Sequence, residues 1–210
     1  MENLKTWQKV AIVATALAGG VAFLSVATAE TQTGLWTTVN VSGKLGEKVS
    51  LNVEEEFRFG DVQDPGLQRQ HTDLSVAFKV ADVLTGVSGY RNTSAGEHRP
   101  YVGLGLRVAS LFEGSVDLDS YTRLEFRDFD TLRARSELSA TWNIAPGVST
   151  HLSNELFLDG SGLPGNRASV GVTKAINDTF GVNGYYLLDT ALGDATSHTH
   201  VMGLGLSVSL

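Results

Sequence analysis

The sequence predicts an all-β fold: a closed, antiparallel, up-and-down transmembrane β-barrel of about ten to twelve strands. Three observations predict it. First, the run from Ser115 to Asn143 alternates strictly. Val116, Leu118, Ser120, Thr122, Leu124 and Phe126 are uncharged, while Asp117, Asp119, Tyr121, Arg123, Glu125 and Arg127 between them are mostly charged. After Asp128-Phe129-Asp130 the pattern resumes, with Leu132, Ala134, Ser136, Leu138, Ala140 and Trp142 set against Arg133, Arg135, Glu137, Ser139 and Thr141. A period of two sends successive side chains to opposite faces of a sheet. Second, these runs are about a dozen residues long, about twice the usual soluble strand. Third, short and long connections alternate along the chain, as in outer-membrane barrels, with one exception at Asp128 to Asp130, a short turn where the rhythm calls for a long loop. Mean hydropathy is close to zero, because in such a wall every second residue is polar.

Residues 1–29 read as an export signal. Lys5 and Lys9 precede an apolar run from Val10 to Val26, and Ala27-Thr28-Ala29 is a small-x-small cleavage site before Glu30. A retained membrane anchor is the rival reading of that run. Residues 30–210 then form one barrel domain. Leu35 to Ser42 is its first strand, followed by a turn at Lys44-Leu45-Gly46-Glu47. Val49 to Phe59 returns, with Ser50, Asn52, Glu54, Glu56 and Arg58 on the inner face. Glu55 breaks the apolar outer face. A carboxylate facing lipid at mid-depth is costly, so a bulge, an interfacial position or a subunit contact is expected there.

Gly60 to Gln70 reads as a long loop. A strand from Thr72 to Val80 places Asp73 and Lys79 inward, and Ala81-Asp82 turns the chain. Val83 to Asn92, with Arg91, leads to a second loop from Thr93 to Pro100. Tyr101 to Val108, with Arg107, enters the central hairpin through Leu111-Phe112-Glu113. Ile144-Ala145-Pro146-Gly147 is a further turn. Val148 to Leu158 is a strand, and Asp159 to Asn166 a third long loop. Arg167 to Lys174 and Phe180 to Leu188 form a hairpin joined at Ile176-Asn177-Asp178. Thr190 to Ser197 is the last loop and His200 to Leu210 the last strand. Trp36, Trp142, Tyr90, Tyr121, Tyr185 and Tyr186 are candidates for the aromatic belts at the two membrane interfaces.

Composition excludes several classes. The chain has 16 basic and 23 acidic residues, a net charge of −7. Losing Lys5, Lys9 and Glu2 with the signal makes it one unit more negative, which argues against nucleic acid as a partner. There is no cysteine, so no disulfide framework, thiol chemistry or lipid-attachment site exists. No phosphate-binding glycine loop is present, since Gly103-x-Gly105 lies within a strand. No cofactor is implied.

Three groups of residues resemble a known family. Leu51-x-Val53-Glu54-Glu55-Glu56-Phe57-Arg58-Phe59 followed by His71-Thr72-Asp73-Leu74 is one. Arg123-x-Glu125-x-Arg127 followed by Arg133-x-Arg135 is the second. Ser153-Asn154-Glu155-Leu156-Phe157, Asn166-Arg167-x-x-x-Gly171 and Gly184-Tyr185-Tyr186 form the third. In this order they resemble an outer-membrane β-barrel family catalogued as a domain of unknown function. The resemblance spans nearly the whole mature chain and implies the architecture without adding chemistry. Gly205-x-x-Val208-x-Leu210 also resembles the C-terminal signal read by the barrel-assembly machinery, although that signal usually ends in an aromatic residue.

Three candidate sites follow. The first is a lumen charge network of Glu54, Glu56, Arg58, Asp73, Lys79, Arg91, Arg107, Asp117, Asp119, Arg123, Glu125, Arg127, Arg133, Arg135, Glu137, Glu155 and Arg167. In a narrow barrel these must pair, because unpaired buried charge is expensive. They either fill the barrel as a salt-bridged plug or form a charged constriction. The second is His151-x-Ser153-Asn154, which resembles the His-x-Ser-Asn motif of outer-membrane lipid A deacylases and would make His151 a base and Ser153 a nucleophile. Here the orienting acid is missing near Gly165. The third is His198-x-His200, a minimal metal pair with Asp194 nearby; Asp61, Asp64 and Asp159 are further loop acids that could hold a divalent or lipopolysaccharide-bridging cation. The expected function is an integral outer-membrane protein, structural or a narrow channel, without catalysis. Its partners are membrane lipid, lipopolysaccharide and the assembly machinery. The alternatives are a deacylase-like hydrolase and a soluble periplasmic β-sandwich.

Overall fold

The computed structural model describes residues 30–60, 66–192 and 196–210. The signal expected over residues 1–29, and Asp61, Asp64 and Asp194, lie outside the described residues. Eleven strands are described: β1 Glu30–Lys44, β2 Val49–Phe59, β3 Leu67–Ala81, β4 Leu84–Thr93, β5 His98–Leu111, β6 Val116–Arg127, β7 Thr131–Ala145, β8 Val148–Asp159, β9 Gly162–Ala175, β10 Phe180–Ala191 and β11 Ser197–Ser209. Each pairs with its chain neighbours, and β11 returns to β1 to close the barrel.

The strand number falls in the expected range, but the wall is not antiparallel throughout. A meander reverses direction at every hairpin, so with an odd number the first and last strands run the same way. β1 and β11 therefore close in parallel, in register from Glu30 against Ser197 to Ser42 against Ser209. The Leu210 amide extends the seam by donating to the Ser42 carbonyl at 2.8 Å. Every strand edge is thereby paired, which a wall in hydrocarbon requires.

The rhythm of connections is weaker than the sequence suggests. The long loop expected from Asp159 to Asn166 is a tight turn, because β8 runs to Asp159 and β9 starts at Gly162, whose φ of 108° suits glycine. The loops expected over Thr93 to Pro100 and Thr190 to Ser197 are likewise shortened by strands that continue to Thr93 and Ala191 and restart at His98 and Ser197. Glycine, proline and aspartate in these stretches mark turns, yet the ladder carries on through them. The end of the barrel bearing the β2–β3, β4–β5, β6–β7, β8–β9 and β10–β11 connections is called the loop end below, and the opposite end the turn end.

Alternation sorts the two faces of the wall. Val102, Leu104, Leu106 and Val108 of β5, and Met202 and Leu204 of β11, are exposed on the outside. Glu55 also points outward, and no bulge accommodates it: the register shift of β2 against β3 falls at Arg58/Phe59. It belongs instead to a polar row. Glu55 pairs with Thr72, Thr72 with Asn92, and Asn92 with His98, and Gln70 Nε2 donates to Glu55 Oε2 at 3.2 Å. One step toward the turn end the same register line is Val53, Leu74, Tyr90 and Pro100. The polar row thus borders the apolar band on its loop side.

The aromatic residues divide between the two faces. Tyr90, Trp142 and Tyr186 are exposed outside, as expected of interface belts, whereas Trp36 is buried in the lumen at 7% exposure. Tyr121 and Tyr185 also face inward, on the side of Arg123 and Asp189 of their strands. Lumen rings lie flat over glycines of adjacent strands. A Cβ on Gly203 would stand 2.0 Å from the Tyr185 ring, and one on Gly89 would stand 2.3 Å from the Tyr101 ring. Gly203→Val should therefore overpack the seam and lower stability by about 1–3 kcal/mol. Gly46→Ala, with nothing within 4 Å of its Cβ, should leave stability nearly unchanged. Urea unfolding of the detergent-folded protein, followed by tryptophan fluorescence, checks both.

Candidate functional site

Lumen-facing positions of neighbouring strands bring alternating charges to one level of the barrel, toward the loop end. Glu54 of β2 lies 3.6 Å from Arg91 of β4. Arg91 Nε donates to Asp73 Oδ2 of β3 at 2.8 Å, and Tyr101 Oη donates to the other oxygen of Asp73 at 2.5 Å. Arg123 of β6 is 3.9 Å from Asp73 and 2.6 Å from Glu125 Oε1. The same Glu125 oxygen accepts from Arg135 Nη1 of β7 at 3.0 Å. Arg135 then grips Glu155 of β8 with two parallel bonds, Nε to Oε1 at 2.7 Å and Nη2 to Oε2 at 2.8 Å. Such two-pronged pairs fix geometry as well as charge. Arg167 of β9 continues the line at 4.0 Å from Glu155, and donates to Asp189 Oδ2 of β10 at 2.9 and 2.8 Å.

An aromatic ring carries the line across the seam. Trp36 of β1 has the Arg167 guanidinium 5.2 Å from its ring centroid and the Arg58 guanidinium of β2 at 3.8 Å. Arg58 Nε in turn donates to Glu56 Oε1 at 2.7 Å. Where the seam strand supplies no charge, the indole face supplies a cation–π contact instead. Phe157 and Tyr101 lie beneath other guanidinium groups of the belt.

The belt is desolvated. Glu125 is 1% exposed and Asp73 4%. Arg123 and Arg135 are also buried. In such surroundings opposite charges attract strongly, and any charge that loses its partner is costly. The arrangement can hold the wall together and obstruct its bore. Among the described residues no group of three or more histidine, aspartate or glutamate side chains is arranged to hold a metal.

The other sequence candidates take different places. Lys79 pairs with Asp82 at the turn end, at 2.8 Å. That hydrogen bond holds the Asp82 carboxyl below the usual carboxylate range. Arg107 and Asp119 form a loose, exposed pair at 3.8 Å. Arg127 and Arg133 sit on the loop side of the belt, beside Glu97 and Asp159. Asp117 and Glu137 face the lumen without a direct ion pair among the described residues. Glu137, His151, Ser153 and Ser169 line a lumen cavity of about 210 Å³ on the turn side of the belt, with Trp36 and Tyr185. Ser153 Oγ shares a hydrogen bond with Ser169 Oγ at 2.9 Å, and among the described residues none joins it to His151. His198 and His200 face outward rather than toward a shared ion. His198 Nδ1 is 3.1 Å from Thr190 Oγ1, and His200 bonds the Tyr186 hydroxyl.

Several site residues escape the sequence reading: Asp189 and Arg99 in the lumen, Arg69 and Glu97 at the loop end, and the buried His71. All lie in or next to stretches read as loops. Their parity continues the lumen faces of β10, β5 and β3, so extending the alternation a few residues would have found them.

Comparison with known proteins agrees with this architecture. The family described as "Protein of unknown function (DUF2490)" matches residues 33–198. The chain belongs to that family. Among solved structures, this family member is similar to the NanC porin in a rhombohedral crystal form, with a TM-score of 0.57 and 12% identity over 84% of this chain and 97% of that one. At that identity the likeness establishes the fold. No curated protein matches the chain. The DUF2490 member is thus a porin-like barrel of the outer-membrane type whose specific role its family leaves open.

The belt makes an unequal prediction for two arginines. Arg135→Ala strips both Glu125 and Glu155 of their main partner and should cost about 3–5 kcal/mol. Arg107→Ala removes an exposed pair and should cost at most about 1 kcal/mol. Denaturant titration of the two detergent-folded variants compares them.

Proposed function

We propose that this protein is an integral outer-membrane barrel, exported by the signal at residues 1–29, whose bore is held shut to bulk solute by its own paired charges. It serves as a charge-stapled wall protein and conducts only along whatever narrow path the belt leaves. The observation that carries this reading is the unbroken circuit from Glu54 through Arg91, Asp73, Arg123, Glu125, Arg135, Glu155 and Arg167 to Asp189, with Trp36 bridging the seam. A diffusion pore selective for one sign would favour lumen charges of one sign; here both signs are present and pair with one another. The outer face meets lipid, with lipopolysaccharide at its margin. The C-terminal strand, held between β10 and β1, is the segment offered to the assembly machinery. The reading includes no catalysis.

Planar-bilayer recording tests it. The inserted wild-type protein should be nearly silent. The double variant Glu125→Ala/Arg135→Ala, which removes a cation and an anion together from the centre of the belt, should give discrete conductance steps. Large, regular steps from the wild type would overturn the reading.

A further inference from the structure

We propose that the loop-end mouth of the lumen is a binding site for a small multivalent oxyanion in solution, such as a phosphate or a compound bearing two carboxylates. The site lies on the loop side of the belt and does not depend on whether the belt conducts.

The argument starts from a local imbalance. Within the belt each arginine meets a carboxylate; at the mouth, among the described residues, the arginines outnumber the carboxylates that pair with them. Arg69 of β3, Arg99 of β5, Arg127 of β6 and Arg133 of β7 converge there. Glu97, at the end of the β4–β5 connection, answers three of them. It accepts from Arg99 Nε at 3.0 Å, lies 3.6 Å from Arg127 Nη2, and feels the charge of Arg69. Arg133 lies 3.9 Å from Asp159, an acid whose Oδ1 already accepts from Ser161, and otherwise feels the charge of Glu125 in the belt. Arg99 and Arg127 stand close enough to Arg133 to repel it.

Unpaired polar atoms lie in this region. Arg127 Nε and Arg133 Nε are buried without a hydrogen-bond partner, and so are both ring nitrogens of His71, a residue only 3% exposed. The charges that act most on His71 are Arg58, Glu56, Arg91 and Arg99. A buried N–H without a partner is costly, and an oxyanion offers several acceptor oxygens at once. Guanidinium forks suit phosphate and carboxylate geometry.

The cradle is held by the backbone. The Asp128 amide donates to the His98 carbonyl at 2.7 Å, and the His98 amide donates to Asp128 Oδ1 at 2.9 Å. This clamp fixes Arg99 and Arg127, each one residue away, side by side. Asp128 and Phe129 both have positive φ, 51° and 59°, a left-handed turn that side chains other than glycine rarely adopt. The tightness of the turn keeps Arg127 and Arg133 near each other on adjacent strands.

Glu97 already shows what the cradle holds, a carboxylate. The hydrogen bond from Arg99 keeps its carboxyl below the usual carboxylate range, so it stays ionised and competes with an incoming anion at neutral pH. The source is a soluble anion entering the bore. A lipid headgroup lies outside the wall, and these arginines belong to lumen positions.

Calorimetric titration of the full detergent-folded chain with inorganic phosphate, against sodium chloride of equal ionic strength, tests the site. Saturable binding of phosphate and not of chloride is expected. Arg127→Ala/Arg133→Ala should weaken it at least about tenfold, whereas Arg107→Ala at the turn end should leave it unchanged. Glu97→Gln should tighten it several-fold by removing the internal competitor while keeping the side-chain shape, and this variant serves if the double arginine variant fails to fold. Absence of phosphate binding, equal response to chloride, or weaker binding in Glu97→Gln would overturn the proposal.

Discussion

A polypeptide wall in hydrocarbon has no water to satisfy a free strand edge, so everything here depends on the pairing of β1 with β11. That seam fixes the rest. It sets the chain as a closed cylinder, makes the odd strand number admissible at the expense of one parallel junction, and decides which residues face one another across the bore. It also explains the packing around it. Trp36, Leu187 and Val201 form the one small apolar cluster of buried residues described in the lumen, with Tyr185 against it. They lie at the junction where β10, β11 and β1 meet. A parallel ladder is slightly less favourable than an antiparallel one, and tight apolar packing at that line offsets the difference.

Closure then creates the second problem, a bore too narrow for free charge. Each strand must carry polar side chains inward if its other face is to meet lipid. Inside, those side chains lose their water. The belt resolves this by mixing signs across neighbouring strands, so that Asp73, Glu125 and Glu155 are each shared between two arginines. Sharing is what keeps the network sensitive: no arginine can leave without stranding a carboxylate that serves a second one. Toward the loop end, among the described residues, Arg69, Arg99, Arg127 and Arg133 gather around Glu97 and Asp159.

Much of the fold was legible in the sequence because period-two alternation is a local property. The faces of β6 and β7 are readable residue by residue, and most belt charges were identifiable as inward. Their pairing was not. Nothing local tells Arg135 that it will grip Glu155 rather than Glu137, its neighbour two residues along on the same face; the β7–β8 register decides that, by setting Arg135 opposite Phe157 and Glu137 opposite Glu155. Asp189 and Arg99 were missed because turn-forming residues nearby suggested loops. Trp36 had the right parity for the lumen, yet aromatic composition alone suggested an interface belt. The outward Glu55 became understandable only once Thr72, Asn92 and His98 were aligned with it across three ladders.

By itself the sequence determined the strand period, the two chemically different faces and therefore the barrel class, because these follow from side chains alternating along one extended segment. Only the tertiary structure decided the parallel seam, the circuit of shared ion pairs, the flat stacking of Tyr185 on Gly203 and the surplus of arginines at the mouth. Those depend on distances between strands far apart in the chain, and such distances exist only after closure has set the register.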